Sequence, residues 1–109
     1  MDSLSIFSRS VDSLFDRLGR EAFFKPQSNV STMPVPIPIK VIPRRPEHLF
    51  ELGEGRIHAE DAHLEFRVSE VRSPATGDEI ELDGKIYRIE EEPRLDQHQL
   101  VWEVETMQI

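Results

Sequence analysis

The residues best suited to metal chemistry are histidines and acids in the middle of the chain. His48, His58 and His63 lie near Glu60 and Asp61. Imidazole and carboxylate groups are common metal ligands. Their spacing here matches no ligand motif, and neither His58 nor His63 has an evident second partner on a rigid element. We therefore expect no metal site and no cofactor, and we interpret these side chains as solvated.

A second candidate for chemistry is the acidic run Glu90-Glu91-Glu92. Two carboxylates divide acid and base roles only where their surroundings separate their pKa values. No neighbouring residue in the sequence would do this, so the run is interpreted as solvated. The chain has no cysteine, and it has no P-loop, dinucleotide-binding glycine motif or nucleophile elbow. We expect no catalytic residues, and hence no enzyme.

Charge is distributed unevenly along the 109 residues, whose formal net charge is -8. Residues 1–48 hold seven Lys or Arg against five acids, whereas residues 49–109 hold six against sixteen. Phosphate binding needs a basic face, so we expect no sequence-specific nucleic-acid partner. The acidic body is either simply solvated or meets the basic arm of a neighbouring subunit. No apolar run approaches the roughly 20 residues that span a bilayer, and no signal peptide is evident, so a soluble intracellular protein is expected.

Asp83-Gly84 predicts the central structural element, a tight β-hairpin between two alternating runs. A two-residue type I′ turn requires positive φ at both central positions, which Asp tolerates and Gly adopts freely. This turn places Leu82 opposite Lys85 and Ile80 opposite Tyr87. One face of the ribbon then needs a core, because it carries Ile80, Leu82, Tyr87 and Ile89. Such a hairpin is marginal alone, so more strands are expected.

Three further strands are indicated by alternating apolar residues at 37–43, 64–68 and 100–105. Pro38 and Pro43 cannot donate to a ladder, which favours an edge position or a shorter strand there. We predict a mainly β fold, a small antiparallel β-sandwich or barrel-like domain. Trp102 is the best candidate for the centre of the core. The predicted core consists of Phe66, Ile80, Leu82, Tyr87, Ile89 and Trp102.

Residues 3–18 predict an amphipathic helix that ends at Gly19. Its apolar stripe recurs every three or four residues and consists of Leu4, Phe7, Val11, Leu14 and Leu18. Phe15 widens this stripe, and Ser, Asp and Arg fill the opposite face. Two interpretations remain open, since the stripe packs either on its own domain or on a partner.

The chain therefore divides into three predicted segments. Residues 1–25 form an N-terminal helical arm, and residues 26–36 form a Pro-rich linker. Residues 37–109 form the β domain, which includes a long mobile loop at about 46–62, where Gly and acidic residues supply few apolar contacts.

The order of these features resembles a known family. An amphipathic N-terminal segment and Gly53-Glu54-Gly55 precede Phe66-Arg67-Val68-Ser69-Glu70-Val71 and Gly77-Asp78-Glu79-Ile80. The hairpin Asp83-Gly84-Lys85-Ile86-Tyr87-Arg88-Ile89 and a final Leu/Trp strand follow. This pattern is similar to the head–tail joining (attachment) proteins of long-tailed phages, the group typified by the joining protein of phage lambda. The resemblance covers nearly the whole chain.

The resemblance implies a β domain related to tail-tube proteins and a structural role in the virion or prophage. It implies a ring between the connector of the DNA-filled head and the tail, formed from subunits that are monomeric when isolated. Implied partners are head connector or adaptor proteins and tail-terminator or tail-tube proteins. The implied location is the virion, and the host cytoplasm during assembly. The family has no catalytic site.

The family's binding surfaces are the N-terminal arm and the long loop, which correspond by position to residues 1–25 and about 46–62. The expected partner-binding residues are Leu4, Phe7, Val11, Leu14, Leu18, Glu51, Glu54 and Arg56. Two alternatives remain open. The chain could be a β-domain of another tail-type or secretion-apparatus ring, or a small enzyme or ligand-binding barrel.

Overall fold

The computed structural model describes residues 3–27, 35–44 and 61–109. One α-helix, α1 (Ser3–Leu18), precedes all the strands. The strands are β1 (Arg20–Lys25), β2 (Ile37–Arg44), β3 (Asp61–Arg67), β4 (Glu79–Leu82), β5 (Lys85–Ile89), β6 (Arg94–Leu95) and β7 (Val101–Gln108). No helix among these residues is both long and apolar enough to cross a membrane.

Six antiparallel strands close into a small β-barrel. Their order is β3-β2-β1-β4-β5-β7, and β7 pairs back to β3 along its length, from Asp61 opposite Met107 to Arg67 opposite Val101. Closure pairs both sides of the sheet and so removes its free edges. The two-residue strand β6 lies outside this ring and pairs with β7. The predicted mainly β, barrel-like class is confirmed.

The β4–β5 hairpin has the predicted turn and register. Asp83 and Gly84 have φ angles of 56° and 78°, the positive values that a type I′ turn requires. Ile80 lies opposite Tyr87, and Leu82 lies opposite Lys85. Local turn chemistry therefore fixes which face of the hairpin enters the barrel.

The barrel interior is filled by aliphatic and aromatic side chains. The buried cluster consists of Ala22, Phe24, Ile39, Val41, Leu64, Phe66, Val71, Ile80, Leu82, Ile89 and Val104. Tyr87 and Trp102 pack against it and are only partly buried. Trp102 is therefore not the centre of the core, because its indole N–H must reach a partner and donates to the Val71 carbonyl over 2.9 Å. Phe66 occupies the central position, fully buried with its ring centroid 5.8 Å from that of Phe24.

The expectation that 37–43 forms an edge strand or a shortened one is wrong, because β2 has eight residues and lies between β1 and β3. The pairing shows how its prolines are accommodated. Pro38 lies opposite Phe23 of β1, beyond the part of β2 that pairs with β3. Pro43 lies opposite Leu64 of β3, beyond the part that pairs with β1. Each proline thus sits where β2 has one neighbour, and Val41 is paired on both sides.

The prediction of a helical arm over residues 1–25 is wrong for its last six residues. These form β1, which pairs with both β2 and β4 and buries Ala22 and Phe24. The arm that is separate from the barrel therefore ends at Leu18. A truncation through residue 25 would remove a barrel strand.

Two predicted segments fall largely outside the described residues. These are the linker at 26–36 and the loop at about 46–62. The second segment contains Glu51, Glu54 and Arg56. The last two residues of that loop, Asp61 and Ala62, begin β3 instead.

Asp78 is a buried carboxylate that joins the hairpin to the end of β1. Its side chain accepts hydrogen bonds from the backbone N–H groups of Gln27 and Ala75, at 2.8 and 2.9 Å. The backbone carbonyl of Asp78 accepts a hydrogen bond from the backbone N–H of Ile89. Because these bonds satisfy the buried carboxylate, its role is structural.

Candidate functional site

The helix α1 is anchored to the barrel by Phe15, which is only 1% exposed. Gly19 follows the helix at a point where space is very limited. A Cβ atom there would lie 2.4 Å from the Phe15 carbonyl oxygen and 3.0 Å from the Lys40 Cβ. Glycine thus lets the chain turn from the helix into β1 against β2, as the predicted helix end at Gly19 requires.

Charged contacts around Arg67 secure the same side of the helix. The Arg67 guanidinium donates to Asp12 over 2.9 Å and to Glu70 over 3.1 Å, and it lies 5.3 Å from the centroid of the Phe15 ring. Burial alone would lower the pKa of Arg67, but its hydrogen bond to Asp12 and the charge of Glu70 outweigh burial and raise this pKa above its ordinary value. Lys40 adds a longer ion pair with Asp16, at 3.6 Å.

Among the described side chains, the rest of the apolar stripe is covered only in part. Phe7, Leu14 and Leu18 are 40%, 36% and 55% exposed, and Val11 is partly buried. We call Phe7, Leu14 and Leu18 the exposed face of α1. The ring of Phe7 stacks on His98 with centroids 4.1 Å apart. The side chain of Leu4 lies outside the described part of the structure.

The structure supports the first interpretation for Phe15, which packs on its own domain, and leaves other stripe residues exposed for a partner. The helix packs on its own domain, but through Phe15, which the sequence indicated only as a widening of the stripe. On this anchored helix, Leu14 and Leu18 stay exposed, whereas Phe7 is partly covered by His98. Exposed apolar surface of this kind is typical of contact sites, which makes the exposed face of α1 the candidate functional site.

Arg67→Met should loosen the helix without opening the barrel, because it removes both charged contacts and keeps an apolar side chain over Phe15. We expect a loss of about 1–2 kcal/mol in helix docking, a small value because Asp12 is half-exposed. Amide exchange in residues 8–18 should then be roughly 5–30 times faster. Arg88→Met, at an exposed hairpin position, is the matched control. Equal exchange in both variants would show that Arg67 does not hold the helix.

Of the residues that the sequence analysis weighed for chemistry, His48, His58 and Glu60 lie outside the described residues, while Glu90, Glu91 and Glu92 are exposed. The expectation that His63 lacks a partner on a rigid element is wrong, because its Nδ1 lies 2.6 Å from Glu105 Oε2 on the neighbouring strand β7. Sequence reasoning missed this pair because the β3–β7 contact joins residues 42 positions apart.

Comparison with known proteins gives one match. The chain matches the family model described as Phage Head-Tail Attachment protein over residues 4–106. No curated protein and no solved structure matches it. The matched range begins inside α1 and ends in β7, so it includes the helical arm, every strand of the barrel and the exposed face of α1. The chain therefore belongs to the phage head–tail attachment protein family and has a phage structural role in head–tail joining.

Proposed function

We propose that this protein joins the connector of the DNA-filled phage head to the tail by docking the exposed face of α1 on a neighbouring component. The observation that carries the proposal is an apolar helix face left uncovered by its own barrel, in a chain that matches the head–tail attachment family over residues 4–106.

The physical argument rests on how the helix is held. Phe15 is buried between the helix and the barrel, whereas Leu14 and Leu18 project from the same helix and stay exposed. A partner that covers them gains apolar burial at roughly 25 cal/mol per Å². Because the helix is already ordered, binding need not offset the full conformational entropy of folding an arm. Burial of Phe15 thus holds the helix in place while Leu14 and Leu18 remain accessible to a partner.

The expected partners are head connector or adaptor proteins on one side and tail-terminator or tail-tube proteins on the other. Assembly would convert monomers into a ring in the virion, after a period in the host cytoplasm. The complete proposed binding surface consists of Leu4, Phe7, Val11, Leu14, Leu18, Glu51, Glu54 and Arg56. The last three enter the proposal on sequence grounds alone.

The filled barrel interior supports a structural role over a ligand-binding one. The rings of Phe24 and Phe66 pack together in the interior, with aliphatic side chains from all six barrel strands in the same cluster. Ligand-binding barrels instead keep an internal space lined by a few convergent polar groups.

Disrupting the gene in the phage or prophage that encodes this chain tests the proposed function. Lysates should accumulate filled heads and separate tails, which electron microscopy counts directly. Expression of the intact chain from a plasmid should restore joined particles. Joined particles in the mutant lysate, or empty heads with no effect on joining, would contradict the proposal.

A further inference from the structure

His63 lies within a group of charged side chains on the outer face of the barrel. Strand pairing creates the group, because His63 lies opposite Glu105, and Glu65 lies opposite Glu103. Alternate residues of a strand share a face, so all four side chains meet on one surface of the β3–β7 pair. Glu65 is 9% exposed although it points away from the core.

Hydrogen bonding orients the imidazole of His63. Its Nδ1 is held by Glu105 Oε2 at 2.6 Å, and the acceptor carboxylate makes Nδ1 the protonated nitrogen. The other nitrogen, Nε2, faces Glu65 Oε2 at 4.0 Å and Glu103 Oε1 at 3.9 Å. In histidine metal sites, one imidazole nitrogen usually donates to a carboxylate while the other nitrogen binds the metal. His63 has the first of these contacts, and its Nε2 faces two further carboxylates.

The distances from Nε2 to Glu65 Oε2 and to Glu103 Oε1 are close to the spacing of ligands around one ion, and too long for direct hydrogen bonds. Both exceed the 3.2 Å limit of a good hydrogen bond. The ligand atoms of His63, Glu65 and Glu103 all lie within 4.8 Å of one another. Ligands bound at about 2.0–2.2 Å in a tetrahedral site are roughly 3.3–3.6 Å apart. The two distances from Nε2 would have to shorten by about 0.5 Å, and a separation as long as 4.8 Å by about 1.2–1.5 Å, to place all three around one ion.

The carboxylates of this group outnumber the guanidinium groups that contact them. Arg44 Nε contacts Glu65 Oε2, the oxygen that faces His63, at 3.1 Å, so an ion would bind the other oxygen of Glu65 or displace the exposed Arg44 side chain. Arg94 lies 3.7 Å from Glu105. Within the described residues, Glu103 has no ion-pair partner except His63. With the imidazole uncharged, as metal binding requires, the three carboxylates and two guanidinium groups have a net charge of -1. A bound divalent cation would offset this surplus, leaving a net charge of +1, and would give Glu103 a positively charged partner.

We propose that His63 Nε2, Glu65 and Glu103 form a three-ligand site for a divalent transition-metal cation, with Glu105 as a positioning residue on His63 Nδ1. One nitrogen and two carboxylate oxygens suit a borderline ion such as Zn²⁺ and disfavour Mg²⁺, which prefers oxygen ligands and retains water. The ligands come from β3 and β7, the pair that closes the barrel. A bound ion would therefore cross-link the closure, which is a role separate from the docking face on α1.

Calorimetric titration of the full chain, without an affinity tag, tests the site with ZnCl2 as the probe. We expect saturable binding of one ion per chain. At about 100-fold excess over Kd, Tm should rise by roughly 10 °C, because the ion binds the folded state. MgCl2 at the same concentration should leave Tm unchanged. Co²⁺ should give the d–d absorption of a low-coordinate nitrogen and oxygen site.

Matched variants separate this site from other histidines and acids. His63→Gln and Glu103→Gln should each abolish the Tm rise and the Co²⁺ absorption while circular dichroism shows a folded barrel. Glu105→Gln should weaken Zn²⁺ binding roughly tenfold, as outer-shell changes do. His98→Gln and Glu91→Gln, at exposed positions outside the group, should bind as the unmodified chain does. Absence of saturable binding, or binding that survives both ligand substitutions, would overturn the proposal.

Discussion

Phe66→Ala should lower the free energy of unfolding by about 3–5 kcal/mol, the largest stability loss we expect from a single substitution in this barrel. Phe66 is fully buried, and its ring centroid lies 5.8 Å from that of Phe24 on β1. Truncation removes the transfer free energy of the ring and leaves a cavity that the closed barrel cannot readily fill. For a domain near 100 residues, such a loss lowers Tm by more than about 10 °C.

Phe23→Ala is a control of the same residue type. Phe23 precedes Phe24 on β1, but its side chain points outward and is 47% exposed. We expect it to cost less than about 1 kcal/mol, as surface substitutions generally do. Chemical denaturation of both variants gives the two free energies. If the two losses were equal, Phe66 would not be the centre of the core.

The parts of this fold that short-range chemistry determines could be predicted from the sequence. The Asp83-Gly84 turn determines the pairing of Ile80 with Tyr87 because a two-residue turn permits one register. The end of α1 at Gly19 likewise follows from local signals. The strand containing Leu64 and Phe66 was identifiable from its strict alternation.

The errors arise where distant residues decide the structure. β1 was missed because Ala22 and Phe24 alternate too briefly to outweigh the helical pattern before them. The central position of β2 was missed because Pro38 and Pro43 act against a ladder, and only the staggered pairing with β1 and β3 shows how they fit. Residue size predicts Trp102 at the centre of the core, whereas it is only partly buried. The sequence does not show that its indole N–H donates to the carbonyl of Val71, which is a tertiary contact.

For the candidate site, the sequence predicts which residues share one side of the helix, and does not predict which of them stay exposed. Periodicity alone groups Phe15 with Leu14 and Leu18, and it cannot tell which of them the barrel covers. That division depends on the position of Arg67, which binds Asp12 and lies over Phe15. The partner of His63 was equally invisible, since cross-strand register between the third and last strands brings Glu105 to it.

The largest functional effect should come from charging the exposed face of α1. Leu14→Glu together with Leu18→Glu would place two carboxylates where the proposed interface buries apolar surface. If each position contributes at least about 2 kcal/mol, as central interface residues do, the loss reaches about 4 kcal/mol. Binding to the neighbouring component would then weaken roughly 10³-fold. Plaque formation in a complementation assay should fall sharply, and filled heads and free tails should accumulate.

Ser10→Glu together with Ser13→Glu adds the same two charges to the same helix at exposed positions off the stripe. This control should complement as the unmodified chain does. Both double variants should retain a Tm within a few degrees of the parent, because neither changes Phe15 or a barrel strand. A folded Leu14→Glu/Leu18→Glu protein that still joined heads to tails would exclude the exposed face of α1 as the docking element. Failure of both variants would show that the helix responds to added charge alone, whereas failure of the first only would assign docking to the face that Phe15 leaves exposed.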